Sequence, residues 1–217
     1  MRNIFIVSGY GAAGKSTVIS NISSSLSVIT IPFGTIHKLA YKNAGYKCTA
    51  DWLAKEGYEP YEKSVLELFK EEVDKAKGDI LIDGLFSSSC YNYLKALELN
   101  NKNRLINIFI FTPEDERINR MYKRQAFITY EQAYKHTKAS DFIKGTCGLY
   151  QIHDEAKYMI NGTKTREIIN IQIRQIIESI KEQDMEKWKH IFTYRNVYKN
   201  LPLKSEKGNF FYFLKIL

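Results

Sequence analysis

Gly9-Tyr10-Gly11-Ala12-Ala13-Gly14-Lys15-Ser16 is the stretch on which the fold of this chain turns. Its spacing is G-x-x-x-x-G-K-[ST], the P-loop pattern, and its context fits. The short apolar run Asn3–Val7 leads into it, and a helical stretch from Thr17 to about Leu26 leads out. A strand that passes through glycines into a helix start aims backbone N–H groups and the positive end of the helix dipole at one point. Gly9, Gly11, Ala12, Ala13, Gly14, Lys15, Ser16 and Thr17 are therefore expected to cradle phosphates. Lys15 would reach the β- and γ-phosphates, and the Ser16 hydroxyl would sit on Mg²⁺.

Working outward, four more apolar runs resemble the first: Val28–Ile31, Asp79–Ile82, Leu105–Phe111 and Tyr158–Ile160. Short runs without apolar–polar alternation read as buried parallel strands. Between them, Val65, Phe69, Val73 and Ala76, and then Ile169, Ile173, Ile176, Ile177 and Ile180, recur at helical spacing. Thr112-Pro113 followed by Glu114-Asp115-Glu116 reads as a helix start capped by Thr112, and Thr129 with Gln132 as a capping box. The expected architecture is α/β, a five-stranded parallel sheet flanked by helices, over residues 1–183.

Two further features carry chemistry. Asp83-Gly84 ends the third apolar run, where ligands of open α/β sheets gather. A carboxylate there organises Mg²⁺ together with Ser16, or accepts a proton from a hydroxyl acceptor. The chain has eight arginines against 24 lysines, and Arg117, Arg120 and Arg124 fall on one helix face. Arg120 and Arg124 are read as neutralising a moving phosphoryl group. Arg117 is expected to stay solvated, paired with Glu114 and Glu116.

With these residues in place, the chain resembles the P-loop kinases of the adenylate kinase, cytidylate kinase and dephospho-CoA kinase group over roughly residues 1–183. The likeness rests on Gly9–Thr17, Phe33-Gly34-Thr35-Ile36-His37-Lys38, Asp83-Gly84, the Thr112–Arg124 helix and Tyr158-Met159-Ile160-Asn161-Gly162-Thr163. It implies an ATP- and Mg²⁺-dependent kinase with acceptor-binding helices at 32–77 and a lid at 120–148. Asn161, Gly162 and Thr163 would lie by the adenine; Asp141 and Lys144 fall where related kinases carry polar lid residues. Gly34, His37, Lys38 and Tyr41 become the acceptor-binding candidates, although a surface position is the plainer expectation for His37. Tyr41, Trp52, Tyr58 and Tyr61 are expected to pack rather than to stack on an acceptor.

The departures bear on the acceptor. Gly34-Thr35-Ile36-His37-Lys38 replaces the usual Gly-Asp-x-x-Arg, so Lys38 would stand in as a point charge, and Asp83-Gly84-Leu85-Phe86-Ser87 lacks the second acceptor arginine. Pro32-Phe33-Gly34 lacks the acids of dephospho-CoA kinases. The resemblance implies transfer of the γ-phosphate to a small nucleotide-like acceptor, first a nucleoside or deoxynucleoside monophosphate. The alternative is a hydroxyl acceptor such as dephospho-CoA or a nucleoside, with Asp83 as base.

Composition sets the outer bounds. With 217 residues and 44% hydrophobic content, the chain is too apolar for disorder and lacks the patterns of collagen or a coiled coil. No apolar run approaches the roughly 20 residues of a membrane span, and the first run is too short for a signal peptide. Cys48, Cys90 and Cys147 have no metal spacing and read as reduced thiols of a cytoplasmic protein. Of the net charge of +8, most sits in residues 186–217, which hold seven basic and two acidic residues and eight aromatics. This basic aromatic extension, 184–217, is expected to pack on the body or on a second subunit, with a hairpin of Phe192–Tyr198 and Asn209–Ile216. A nucleic-acid surface is its less favoured reading, which would make the chain an ATP-dependent nucleic-acid-binding protein or polynucleotide kinase.

Overall fold

The computed structural model describes residues 1–23, 25–100, 103–124 and 129–182. The 184–217 extension lies outside them, and with it the hairpin, subunit-packing and nucleic-acid expectations. So do residues 125–128 of the expected lid.

Strands β1 (Arg2–Ser8), β2 (Ile29–Pro32), β3 (Ile80–Asp83), β4 (Asn103–Phe111) and β5 (Tyr158–Asn161) form one parallel sheet in the order β2-β3-β1-β4-β5. They are the five apolar runs, with ends displaced by one or two residues. Nine helices complete the described residues: α1 (Lys15–Ser23), α2 (Phe33–Asn43), α3 (Thr49–Glu56), α4 (Tyr58–Lys75), α5 (Ser88–Leu99), α6 (Glu114–Arg124), α7 (Tyr130–Lys144), α8 (Tyr150–Asp154) and α9 (Arg166–Lys181). The first begins at the P-loop lysine, two residues earlier than expected. None of the described helices is long and apolar enough to cross a membrane.

The strands are apolar throughout because both faces of the sheet are covered. Ile4, Ile6, Ile80, Ile82, Leu105 and Phe109 share a core with Phe33, Ile36, Trp52, Tyr61, Val65, Phe69 and Leu94 of α2 to α5. The alternate positions Phe5, Val7, Leu81, Ile106, Ile108 and Ile110 meet Val18, Ile19 and Ile22 of α1 and the isoleucines of α9. Trp52 and Tyr61 are thus core residues, as expected of packing.

Local chemistry sets the helix starts. Ser87 accepts from the Cys90 N–H at the start of α5, and Thr129 and Gln132 form the capping box of α7. At α6 the outcome differs: the Thr112 hydroxyl donates to the Ala13 carbonyl at 3.4 Å, tying the end of β4 to the P-loop. The 32–77 segment forms α2, α3 and α4, and β2 enters α2 directly. Gly34 therefore lies in a first helical turn, where a Cβ would meet nothing within 4 Å, and its lack of a side chain is not a steric requirement.

Helix α7 passes into α8 through a π-helical turn, Gly145–Leu149, broken at Gly148. Gly148 has φ +120°, and a Cβ there would lie 2.5 Å from Ser88 Cβ and 2.6 Å from Ser88 N at the start of α5. Strain and overlap act together, so Gly148→Ala is expected to cost about 3 kcal/mol. Urea unfolding at constant m-value checks this.

Candidate active site

Parallel pairing brings the two chemical loops together. Val7 pairs with Asp83, and the ladder continues past β3 through the Gly84 N–H to the Val7 carbonyl at 2.9 Å and the Ser8 hydroxyl to the Leu85 carbonyl at 2.8 Å. The P-loop and Asp83-Gly84 thus leave adjacent strands side by side.

The loop needs its glycine at the strand exit. Gly9 has φ +151°, and a Cβ there would lie 2.6 Å from the Ile110 carbonyl oxygen of β4. Ala12 takes the left-handed conformation at φ +58°, and the Ala13 N–H closes a turn onto the Tyr10 carbonyl at 3.3 Å. Lys15 folds back over the loop: its Nζ donates to the Gly9 carbonyl at 2.7 Å and the Tyr10 carbonyl at 2.8 Å.

Asp83 stands beside Lys15 and near the hydroxyl of the exposed Ser16. Burial raises its carboxyl above the usual range, against the pull of Lys15 and of the Ser16 hydroxyl. An exposed hydroxyl and a carboxylate are hard oxygen donors, which suits Mg²⁺ held by one or two side chains plus substrate phosphates. Among the described residues no cluster of three or more His, Cys, Asp or Glu could hold a metal. Ser16 and Asp83 thus fit a metal carried in with phosphates.

Two cations approach the loop from α6 and α7. Arg120 Nη2 donates to the Gly162 carbonyl at 2.8 Å and its Nε to Glu116 at 2.9 Å, which brings Nη1 to 3.9 Å from where a Cβ on Gly14 would lie. Lys144 Nζ lies 3.5 Å from the corresponding point on Gly11 and 6.0 Å from the centre of the Phe86 ring. Burial lowers the Lys144 pKa, and Arg117 adds to this while Asp141 opposes it. Burial, then the Lys144 charge, pushes Lys15 down to about 7. A lysine depressed by neighbouring cations beside a loop of N–H donors makes a site for an anion of several charges.

Other residues fall differently from expectation. Arg117 is fully buried, and its partner is Asp141 at 2.7 Å. Glu114 pairs instead with Lys138 and Glu116 with Arg120, so the solvated Arg117 of the sequence reading is corrected. Arg124 is exposed in the last turn of α6, about 6 Å further along the axis than Arg120. His37 is not a surface residue. Its ring is half-buried, with Nδ1 on the Tyr61 hydroxyl and Nε2 on Thr49 Oγ1 at 2.8 Å, so both nitrogens are taken. Burial, then Lys144 and Lys38, lowers it to about 4, which makes it a neutral packing residue at neutral pH. Tyr41 is half-buried and edge-on to His37, while Lys38 is exposed.

After β5, Asn161 Oδ1 accepts from the Thr163 N–H at 2.9 Å and hydroxyl at 2.8 Å. Gly162 is packed so closely that a Cβ would lie 2.0 Å from Thr112 Oγ1. The glycine lets this loop close on the end of β4 and offers its carbonyl to Arg120. Sequence spacing alone did not single out Lys144 or the Arg117–Asp141 pair as neighbours of the P-loop.

No family model matches the sequence, and no curated protein matches it. Solved structures do. The shikimate kinase from Acinetobacter baumannii in complex with shikimate aligns with TM-score 0.52 and 18% identity, over 85% of this chain and 96% of that one. The shikimate kinase from Aquifex aeolicus gives 0.50 and 17%, over 82% and 98%. That from Bacteroides thetaiotaomicron gives 0.51 and 14%, over 82% and 98%. The fold is a P-loop NTPase fold.

The Lys15 pKa gives this site a pH signature. A bound polyanion favours the ammonium form and raises its pKa from about 7, so binding takes up a proton above that pH. Above pH 8 the phosphate proton, with a pKa of about 6, is already lost. ATP affinity is expected to fall up to about tenfold per pH unit between pH 8 and 9.5. Titration calorimetry in buffers of different ionisation enthalpy should show the proton uptake, and Lys15→Met should abolish it.

Proposed function

We propose that the protein is an ATP-dependent phosphotransferase that moves the γ-phosphate to a hydroxyl of a small acceptor. The observation that carries this reading is the meeting of Lys15, Arg120 and Lys144 around the P-loop with a single carboxylate, Asp83, at the end of the next strand. Its place is the cytoplasm, where Cys48, Cys90 and Cys147 stay free thiols.

The resemblance to nucleotide kinases puts a nucleoside monophosphate first. The acceptor side supports the hydroxyl alternative better. An acceptor phosphate is best held by a bidentate arginine fork, and the chain has no arginine between Arg2 and Arg104. Helices α2 to α5 therefore bring none. Three solved structures of similar fold are shikimate kinases, one with shikimate bound, which supports a small hydroxylated acceptor.

In this mechanism the loop amides and Lys15 hold the β- and γ-phosphates, and Asn161–Thr163 lie by the adenine. Lys15 leaves the Gly9 and Tyr10 carbonyls to do so. Ser16 and Asp83 would hold Mg²⁺, which neutralises phosphate charge when bound. The acceptor hydroxyl gives its proton to the Asp83 carboxylate. Its oxygen bonds to the γ-phosphorus as the bond to the β–γ bridging oxygen breaks, and ADP leaves. Arg120 and Lys144 face the charge that develops on the moving group.

Incubation of the full chain with ATP, Mg²⁺ and separate pools of hydroxylated acids, nucleosides, dephospho-CoA, nucleoside monophosphates and oligonucleotides tests this, with products read by mass. Phosphorylation of a hydroxyl is expected. Asp83→Asn should then lower kcat by about 10²–10⁴ even at saturating Mg²⁺. Transfer confined to monophosphates, with Asp83→Asn rescued by Mg²⁺, would overturn the hydroxyl assignment.

A further inference from the structure

The Arg117–Asp141 pair is an expensive way to join two helices. Both groups are buried, and Arg117 Nη2 and Asp141 Oδ1 have no hydrogen-bond partner among the described residues. A buried ion pair does no better than breaking even against an apolar pair of similar volume, and orphaned polar atoms worsen the balance. Stability is therefore a poor account of its presence, and its geometry offers a better one.

A single guanidinium touches three elements. Its Nε donates to the Thr112 carbonyl at 3.1 Å, before α6 begins. Nη1 reaches the Gly11 carbonyl at 3.5 Å and Asp141 Oδ2 of α7 at 2.7 Å, and the plane lies 4.8 Å over the Tyr10 ring. Three residues further along α6, on the same face, is Arg120. Three residues further along α7, on the same face, is Lys144. Arg120 stands at Gly14 and Lys144 at Gly11, the two sides of the loop. One turn before the pair on each helix, Glu114 and Lys138 meet at 2.8 Å and repeat the registration.

We propose that Arg117 and Asp141 form a positioning latch, which sets α6 against α7 and both against the P-loop so that Arg120 and Lys144 hold their places around the phosphates. Neither latch residue need touch the substrate. Arg117 spends Nε and Nη1 on protein oxygens, and Asp141 spends its charge on Arg117. The inference rests on the phosphotransfer reading for its kinetic test but not for its binding test.

The experiment uses the full chain with four changes: Asp141→Asn, Lys144→Met, the two combined, and the apolar pair Arg117→Met with Asp141→Leu. For Asp141→Asn, kcat is expected to fall about 100-fold, the scale of a misplacement near 1 Å. Lys144→Met should cost a similar factor in the native background. In the Asp141→Asn background it should cost less than about threefold, because an ammonium already displaced cannot be lost twice. The apolar pair should melt at or above the native temperature yet stay about 100-fold slow. Should Asp141→Asn fail to fold, the apolar pair carries the test.

Independent, multiplying effects of Asp141→Asn and Lys144→Met, or full kcat in the apolar pair, would overturn the latch. A native chain that phosphorylates no acceptor refutes the phosphotransfer reading instead. The dissociation constant of tripolyphosphate then decides the latch: about tenfold weaker binding in the apolar pair upholds it, and unchanged binding overturns it.

Discussion

The hydrogen bond from the Gly84 N–H to the Val7 carbonyl is the contact on which the site depends. It carries the β1–β3 ladder one step beyond β3 and fixes the level at which both strands release their loops. With Val7 opposite Asp83, the carboxylate falls beside Ser16 and Lys15. A slip of one residue would turn Asp83 to the other face of the sheet, away from α1 and into the core beneath α2 to α5. Packing of Ile4, Ile6, Ile80 and Ile82 in the core beneath α2 to α5 holds the register against that slip. An apolar pattern far from any ligand thus decides where the acid stands.

Around that point the protein accumulates positive charge that it does not neutralise locally. Lys15 and Lys144 are both pushed down by burial and like charge. Asp83 and Asp141 are the acids that answer them, and burial raises both. Asp141 is already engaged with Arg117. The folded state therefore carries an electrostatic cost at neutral pH that the proposed polyphosphate ligand would relieve. Functional sites commonly store unfavourable energy in this form.

Much of the fold was legible because its signals are local. Each strand is a short apolar run, and the P-loop announces itself in eight consecutive residues. The capping box of α7 lies within four. Asp83 was legible from its place at a strand end. What escaped depends on which distant residues meet. Nothing in Glu114-Asp115-Glu116-Arg117 says that Arg117 turns inward to Asp141, 24 positions on, while its neighbours take Lys138 and Arg120. His37 looked like a surface histidine because Tyr61 and Thr49, which hold its nitrogens, lie on other helices. Lys144 was placed in the lid only by resemblance, and packing alone shows that it stands beside Gly11 of the P-loop.

The back-folded Lys15 has a consequence for discrimination. Its ammonium already holds two carbonyl oxygens of its own loop, so the protein supplies an internal competitor for every anion that enters. Hydrogen bonds to a charged group are worth about 1.5–3 kcal/mol each. A single phosphate or sulfate returns little more than it displaces. On the proposed reading, a chain of phosphates would also engage the loop amides, Arg120 and Lys144, and so exceed that threshold. On that reading, the resting conformation of one side chain would filter small anions from nucleotides before any acceptor is present.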